Sequence, residues 1–537
     1  MSEQLVRMEP VRLALQGIVD RMQGRMMRAA YSSIAREGGD CAAALFLPDG
    51  RLLAQARSLP LLLGSLIPAV AGVLRQFAPA QMADGDAYLM NDPWSGGTHL
   101  PDLVVVRPVM HEGRLIALAA TILHHQDVGG MSAGSIPPNA TDIFQEGLRI
   151  PPLRWRSAGQ ADAGIERLLC ANSRTPDNLM GDLGAQWSAV TQGASETVAL
   201  RARTGDGFHG ICDALLAQSE RITREALRQA PDGHWHWEDQ LDGDGIDDKP
   251  VRIAVSLHKQ GDSLTIDFSG SSPQTRGPVN ASPSSMMAAI LFFMRTLAPQ
   301  APNNAGCLAP ARWILPEGSV VHPRLPAAVN ARTATVKLAC NAMLGAWSLG
   351  ASRTPLASNA GVATVLSLSG TDRQGRRWLL TEIIASGAGA SATAHGASGV
   401  STDVGNARNT PLEVIESEAP LRVLCYAIRS GSGGEGRMGG GHGVRRIYQL
   451  LEGHGSVSYR GERHVSRARG SHGGGDGAPS AARIERSDGR VDTLPARARV
   501  DWSEGDRLVI ETAGGGAWGE PEAIPAPPGH HIIIGTT

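Results

Sequence analysis

The chain has 537 residues, with 50 Lys and Arg against 52 Asp and Glu, for a formal net charge of −2. Apolar residues at 42% and charged residues at 19% exclude a disordered polyelectrolyte or a coiled coil, and the missing basic excess argues against nucleic-acid binding. With 65 Gly, 33 Pro and few aromatics, the composition predicts an α+β protein: mixed and antiparallel sheets in several layers, with helices and long Gly-rich loops.

The N-terminal ten residues hold no apolar signal core, and the longest apolar stretch, Leu115 to Leu123, is far short of the roughly 20 residues a membrane span needs. The six cysteines are isolated, as expected for a reducing cytoplasm and no membrane role. Residues 9–34 read as a helix, because Val11, Leu15, Ile18, Met22 and Met26 recur at helical steps. Cys41 to Phe46, a Pro48-Asp49-Gly50 turn and Arg51 to Gln55 read as a first hairpin. A helix is expected over 66–77. Leu103 to Met110 and Arg114 to Leu123, separated by His111-Glu112-Gly113, read as a second hairpin of buried strands. Further helices are expected within 165–230, including 208–229, and over 331–351; strands are expected at 252–258 and 263–269. Residues 385–405, 431–443 and 468–478 read as Gly-rich loops, and the Pro-rich stretch from Ile524 as a partly mobile tail. Three domains are expected: 1–205, 206–330 (β-rich) and 331–537 (Gly-rich α+β).

The second hairpin carries the chemistry. Its turn lies near residue 112, so antiparallel pairing brings Asp102 and His124 to the same open end. His99 lies three residues before Asp102, and Asp40 stands at the mouth of the first hairpin. Two imidazoles and two carboxylates suit a divalent transition metal such as Zn or Mn. His125 and Asp127 lie beside them. The alternative is a solvated polar loop with capping aspartates. Gly431 to Gly436 matches GxGxxG, but the glycines after it cannot open the helix a dinucleotide site needs, so it reads as a turn. Gly514 to Gly516 reads as a tight turn. Cys307 has no base near it in sequence and reads as a buried thiol.

Several motifs together resemble the hydantoinase B/oxoprolinase family. They are Asn91-Asp-Pro-Trp-Ser-Gly-Gly-Thr-His-Leu-Pro-Asp102, His124-His-Gln-Asp-Val-Gly-Gly130, Gln145-Glu-Gly-Leu-Arg-Ile-Pro-Pro152, Asp267-Phe-Ser-Gly-Ser271 with Gly277-Pro-Val-Asn280, Asn409-Thr-Pro-Leu-Glu413, Arg437-Met-Gly-Gly-Gly441 and Thr512-Ala-Gly-Gly-Gly-Ala-Trp-Gly519. They run in family order over nearly the whole chain. The resemblance implies one divalent metal held by Asp40, His99, Asp102 and His124. It also implies a hetero-oligomer with a hydantoinase A-like subunit that binds ATP and phosphorylates an oxygen of the substrate. The implied reaction opens a cyclic amide: a hydantoin, 5-oxoproline or a related lactam. His125, Asp127 or Glu146 would serve as general base. Two alternatives remain: a subunit of an ATP-dependent ketone carboxylase using the same metal site, and a non-catalytic scaffold for the ATP-binding partner. The chain departs from the family pattern at Leu62, Gly431 and Gly439, where relatives often carry His, Asp and Arg. Those departures bear on substrate choice and partner fit.

Overall fold

Hydrophobic periodicity builds the first layer of the computed structural model, which describes residues 3–350 and 355–521. Helix α1 (Glu3–Ala29) buries the expected stripe of Val11, Leu15, Ile18, Met22 and Met26. The helix stops earlier than its pattern suggests, and a single turn, α2 (Ser33–Arg36), follows. The break has a visible cause: the backbone N–H groups of Tyr31 and Ser32 donate to Asp182 Oδ1 at 2.7 and 3.1 Å. The tail from Ile524 lies outside the described residues.

Seven strands make the N-terminal sheet: β1 (Cys41–Phe46), β2 (Leu52–Gln55), β3 (Ala87–Met90), β4 (Asp102–His111), β5 (Arg114–His124), β6 (Leu153–Ser157) and β7 (Gln160–Ala161). Their order is β2-β1-β5-β4-β3-β6-β7, and every neighbouring pair is antiparallel. Both expected hairpins form. The central strands are apolar at nearly every position because both faces are covered. Ala43, Leu45, Leu103, Val105, Ala119 and Leu123 join the core under α1. Ala42, Ala44, Val104, Val106, Ala120 and Ile122 join the core under α3 (Pro60–Gln76). The period of two alone assigns each residue to its face. Helix α3 starts six residues before the expected position, with Pro60 in its first turn, where a missing N–H does no harm. Helices α4 (Ala163–Asn172), α5 (Pro176–Thr204) and α6 (Phe208–Arg228) follow; α5 lies over β4 and β5 on the α1 side.

Strands β8 (Gly233–Leu241), β9 (Val251–Gln260), β10 (Ser263–Asp267) and β11 (Ala311–Ile314) form a mixed sheet, with β10 and β11 parallel. Helices α7 (Pro283–Leu297) and α8 (Arg332–Ser348) share its core. Helix α7 also packs on α3, and the approach is close enough at Gly64 that an added Cβ would collide with the backbone of Ala288.

The C-terminal part is a sandwich. One sheet contains β12 (Thr364–Thr371), β13 (Arg377–Ile384), β16 (His454–Arg460) and β19 (Arg497–Ser503). The other contains β14 (Leu421–Ile428), β15 (Val444–Leu450), β17 (Ala481–Glu485), β18 (Val491–Leu494) and β20 (Arg507–Glu511). Both contribute to one apolar core with the short helix α9 (Leu412–Glu418). The Gly-rich stretches are not independent loops. They lie side by side as a bundle of main chains: Gly441 N donates to Ala388 O at 2.8 Å, Gly515 N to Gly441 O at 2.9 Å, Gly434 N to Gly515 O at 2.9 Å and Ala517 N to Gly475 O at 2.9 Å. At Gly433, Gly434, Gly440, Gly441, Gly514 and Gly515 an added Cβ would fall inside a neighbouring carbonyl oxygen. Among the described residues, no helix follows the 431–436 motif. Among the described residues, no helix is long and apolar enough to cross a membrane.

Candidate metal centre

Strand register brings the expected groups to one sheet end. Asp102 and His124 are direct cross-strand partners on β4 and β5. Cys41 pairs with Leu123, and His124 N donates to Asp40 O at 3.0 Å, so Asp40 stands next to His124 on the other side. Asp40, Asp102 and His124 each continue the alternating set that points toward α3. His99 sits in the turn before β4, where Asp102 N donates to its carbonyl at 3.1 Å.

His99, Asp102 and His124 are buried, and their potential ligand atoms all lie within 4.8 Å of one another. The two imidazole centroids are 5.0 Å apart. His99 Nε2 and Asp102 Oδ1 are 3.1 Å apart but not aligned as a hydrogen bond. Those two atoms and His124 Nδ1 are buried without any hydrogen-bond partner. Orphaned buried polar atoms are costly, and each of the three clustered residues carries one. Two imidazole nitrogens and one carboxylate oxygen fit the donor set of Zn or Mn. Asp40 lines the same cavity of about 50 Å³ but stands outside that three-atom convergence.

The surroundings set the protonation states. The His99 Nδ1 meets the Asn330 carbonyl at 3.3 Å; a carbonyl only accepts, so Nδ1 carries the proton and Nε2 keeps its lone pair. Burial, reinforced by the Arg332 charge, lowers the His99 pKa to about 4. Burial and the neighbouring His99 lower that of His124 to about 3. Both imidazoles are therefore neutral at physiological pH, as metal ligands must be. Burial opposes ionisation of Asp102, but His99 and Arg332 outweigh it and hold this carboxyl well below its usual range. Burial, with the charge of Asp102, raises Asp40 to about 7.

Sequence reasoning missed the groups that hold this cluster in place. Arg332, the first residue of α8, donates through Nη2 to Asp102 Oδ2 at 2.6 Å, and Thr98 Oγ1 donates to the same oxygen. That leaves only Oδ1 facing the histidines. Arg460, at the end of β16, and Lys337 of α8 also line the cavity. No local spacing signals them; they come from elements more than 200 residues downstream.

The three expected general bases lie elsewhere. His125 follows His124 by one residue, so the strand period turns it to the α5 side, where Nε2 meets Gln186 Oε1 at 3.0 Å. Asp127 accepts from the backbone N–H groups of Gly129, Gly134 and Arg174 and pairs with the Arg174 side chain at 3.0 Å. That is a loop-organising role. Glu146 Oε1 accepts from Val329 N, Asn330 N and Asn330 Nδ2 at 2.8–3.0 Å. Glu146 thus holds Asn330, which in turn orients His99. None of the three lines the cavity. Cys307 is a buried thiol whose Sγ meets Pro302 O at 3.2 Å.

The chain belongs to the hydantoinase B/oxoprolinase family, whose model matches residues 4–521. It is 28% identical over 513 residues to a 5-oxoprolinase of Dictyostelium discoideum, covering 94% of this chain but only 40% of that protein. It is 29% identical over 472 residues to a Pseudomonas chain named as the B-type subunit of a D-/L-hydantoinase, covering 84% and 79% of the two chains. The crystal structure of an ATP-dependent caprolactamase from Pseudomonas jessenii superposes with a TM-score of 0.90 at 25% identity, covering 96% of this chain and 91% of that one.

Proposed function

We propose that this chain is the B-type subunit of an ATP-dependent amidohydrolase that opens a cyclic amide in concert with an ATP-binding, A-type partner. Relatives named as a 5-oxoprolinase, a B-type hydantoinase subunit and a caprolactamase support that class. The observation that carries the reading is the buried cluster of His99, Asp102 and His124, each with a side-chain polar atom that has no hydrogen-bond partner. These residues would hold one divalent metal, Zn or Mn, with Asp40 beside them. When bound, such a metal supplies Lewis acidity and makes water acidic enough to yield a nucleophile near neutral pH.

The residues prepare the site. Asn330 fixes the His99 tautomer, and Arg332 with Thr98 fixes the Asp102 carboxylate. Asp40 lines the same cavity beside His124 without belonging to the clustered three, and it takes the proton-handling role. The cavity brings Asp40, His99, Asp102 and His124 together with Arg332, Lys337 and Arg460, so a reacting group that enters it meets carboxylates, imidazoles and cations at once. Amide resonance makes the ring carbonyl a poor electrophile; phosphorylation of its oxygen by the partner removes that resonance and creates a leaving group.

The test is to co-purify the chain with its A-type partner and assay ATP-dependent loss of hydantoins, 5-oxoproline and lactams. His99→Ala and Asp102→Ala should abolish turnover and stoichiometric metal together, whereas Asp40→Asn should keep the metal and lose turnover. Full turnover after complete metal removal would sink the metal role. Label from bicarbonate appearing in an acid product from a ketone would favour a carboxylase. A scaffold would carry no stoichiometric metal and would tolerate loss of His124.

A further inference from the structure

We infer that Arg460 and Arg332 form a subsite for a small oxyanion, a phosphoryl group, against the His99–Asp102–His124 cluster. The inference rests on the proposal that chemistry occurs in this cavity, and it assigns the ligand of residues outside the metal set.

Five arginines are buried among the described residues: 332, 446, 460, 463 and 497. Four have a carboxylate partner. Arg332 pairs with Asp102, Arg446 with Glu382, Arg463 with Asp239 and Arg497 with Glu462. Arg460 has none within 4.0 Å among the described residues. Its Nη1 donates only to neutral acceptors, the Asn330 carbonyl at 2.6 Å and Asn330 Oδ1 at 2.7 Å. Its Nε is buried with no acceptor, as are those of Arg332, Arg446 and Arg497, so the missing carboxylate is what sets Arg460 apart. The carboxyl that acts on Arg460 most, Glu146, commits Oε1 to the 329–330 backbone and lies beyond ion-pair distance.

A buried guanidinium without a counter-charge is costly, and an anion arriving beside it would relieve that cost. Both arginines line the cavity that contains the metal cluster. A third cation, Lys337, lines it too and spends a donor on the Thr402 carbonyl. Planar guanidinium edges match the oxygens of phosphoryl groups in two-pronged hydrogen bonds. The space also fits. The cavity of about 50 Å³ has room for a small oxyanion. The group comes either from a phosphorylated substrate oxygen or from inorganic phosphate released after the reaction.

The experiment uses the full chain, stripped of metal by a chelator and dialysed, and in parallel reloaded with Mn. Calorimetric titration with inorganic phosphate and with methyl phosphate separates the two sources. Tighter methyl phosphate binding assigns the substrate's group, and tighter inorganic phosphate the released product. Phosphate should bind the metal-free wild-type chain and raise its denaturation temperature. Arg460→Met should weaken binding ~10- to 100-fold while leaving the Mn content unchanged, with Arg460→Lys intermediate. No heat and no thermal shift in the metal-free wild-type chain overturns the subsite, whatever the variants do. So does phosphate affinity that ignores Arg460, or bicarbonate binding where phosphate does not bind. A chain that never holds Mn yet binds phosphate through Arg460 would refute the metal reading and leave the subsite standing.

Discussion

Replacing Asp102 with Asn separates the structural duty of this carboxylate from its proposed metal-binding duty. Asn keeps the shape and an acceptor but removes the charge. Asp102 Oδ2 receives both Arg332 Nη2 at 2.6 Å and Thr98 Oγ1, and the Asp102 and Arg332 side chains are 0% and 3% exposed. Breaking a buried ion pair on one side costs about 3–5 kcal/mol, because the other charge is left stranded. The retained acceptor puts Asp102→Asn near ~3 kcal/mol by the same reasoning. That loss belongs to the fold and appears without any metal. A chain of this size does not unfold in one step, so the assay is hydrogen exchange at the β4 and β5 amides of metal-free protein. Adding Arg332→Met should restore more than half of the lost protection, since the stranded cation is gone. A change below about 1 kcal/mol, or no recovery in the double variant, would refute the claim that Arg332 and Asp102 depend on each other.

His124→Ala should remove stoichiometric metal, while His125→Ala keeps it and costs about 1–3 kcal/mol by leaving buried Gln186 Oε1 short of a partner; metal analysis beside thermal denaturation decides. Gly515→Ala drives a methyl group into the Ala388 carbonyl and should cost more than ~4 kcal/mol, read as insoluble protein. Gly113→Ala, in open space at φ +74°, should cost only about 1–2 kcal/mol in the same solubility and melting assays. Burial lowers His464 to about 4, against about 6.5 when unfolded. The unfolded chain takes the proton first, so this group's stabilisation is complete above pH 6.5 and is lost as pH falls toward 4. The full shift corresponds to ~3 kcal/mol, trimmed to ~2 for partial exposure. His464→Gln, which can still meet the Tyr459 hydroxyl, should flatten melting temperature against pH in that window; an unchanged slope would refute the assignment.

Much of the N-terminal layer is legible in the sequence because its signals are local. The α1 stripe, both hairpins and the shared position of Asp102 and His124 follow from periods of 3.6 and 2 and from turn placement. The same period of two separates His125 from His124, although adjacency in sequence suggests a shared site. Asp127 and Glu146 have the chemistry of a general base, but Arg174, 47 positions away, joins local backbone donors on Asp127, and the donors to Glu146 come from 183–184 positions away. Arg332 meets Asp102 across 230 positions, and Arg460 meets Asn330 across 130. No pattern of spacing encodes such meetings. The Gly-rich stretches read as loops because glycine usually marks turns. Their ordering depends on one another, which no single stretch reveals.

The bundle of bare main chains has a consequence for anyone redesigning this protein. Ordinary cores tolerate exchange, because a larger side chain in one place can be balanced by a smaller one opposite. Around Gly440, Gly441 and Gly515 there is nothing to trade, since the opposing surface is itself carbonyl and amide. Libraries that reshape the cavity should spare these positions and diversify its apolar wall at Leu59, Leu61 and Val404, where compensation remains possible.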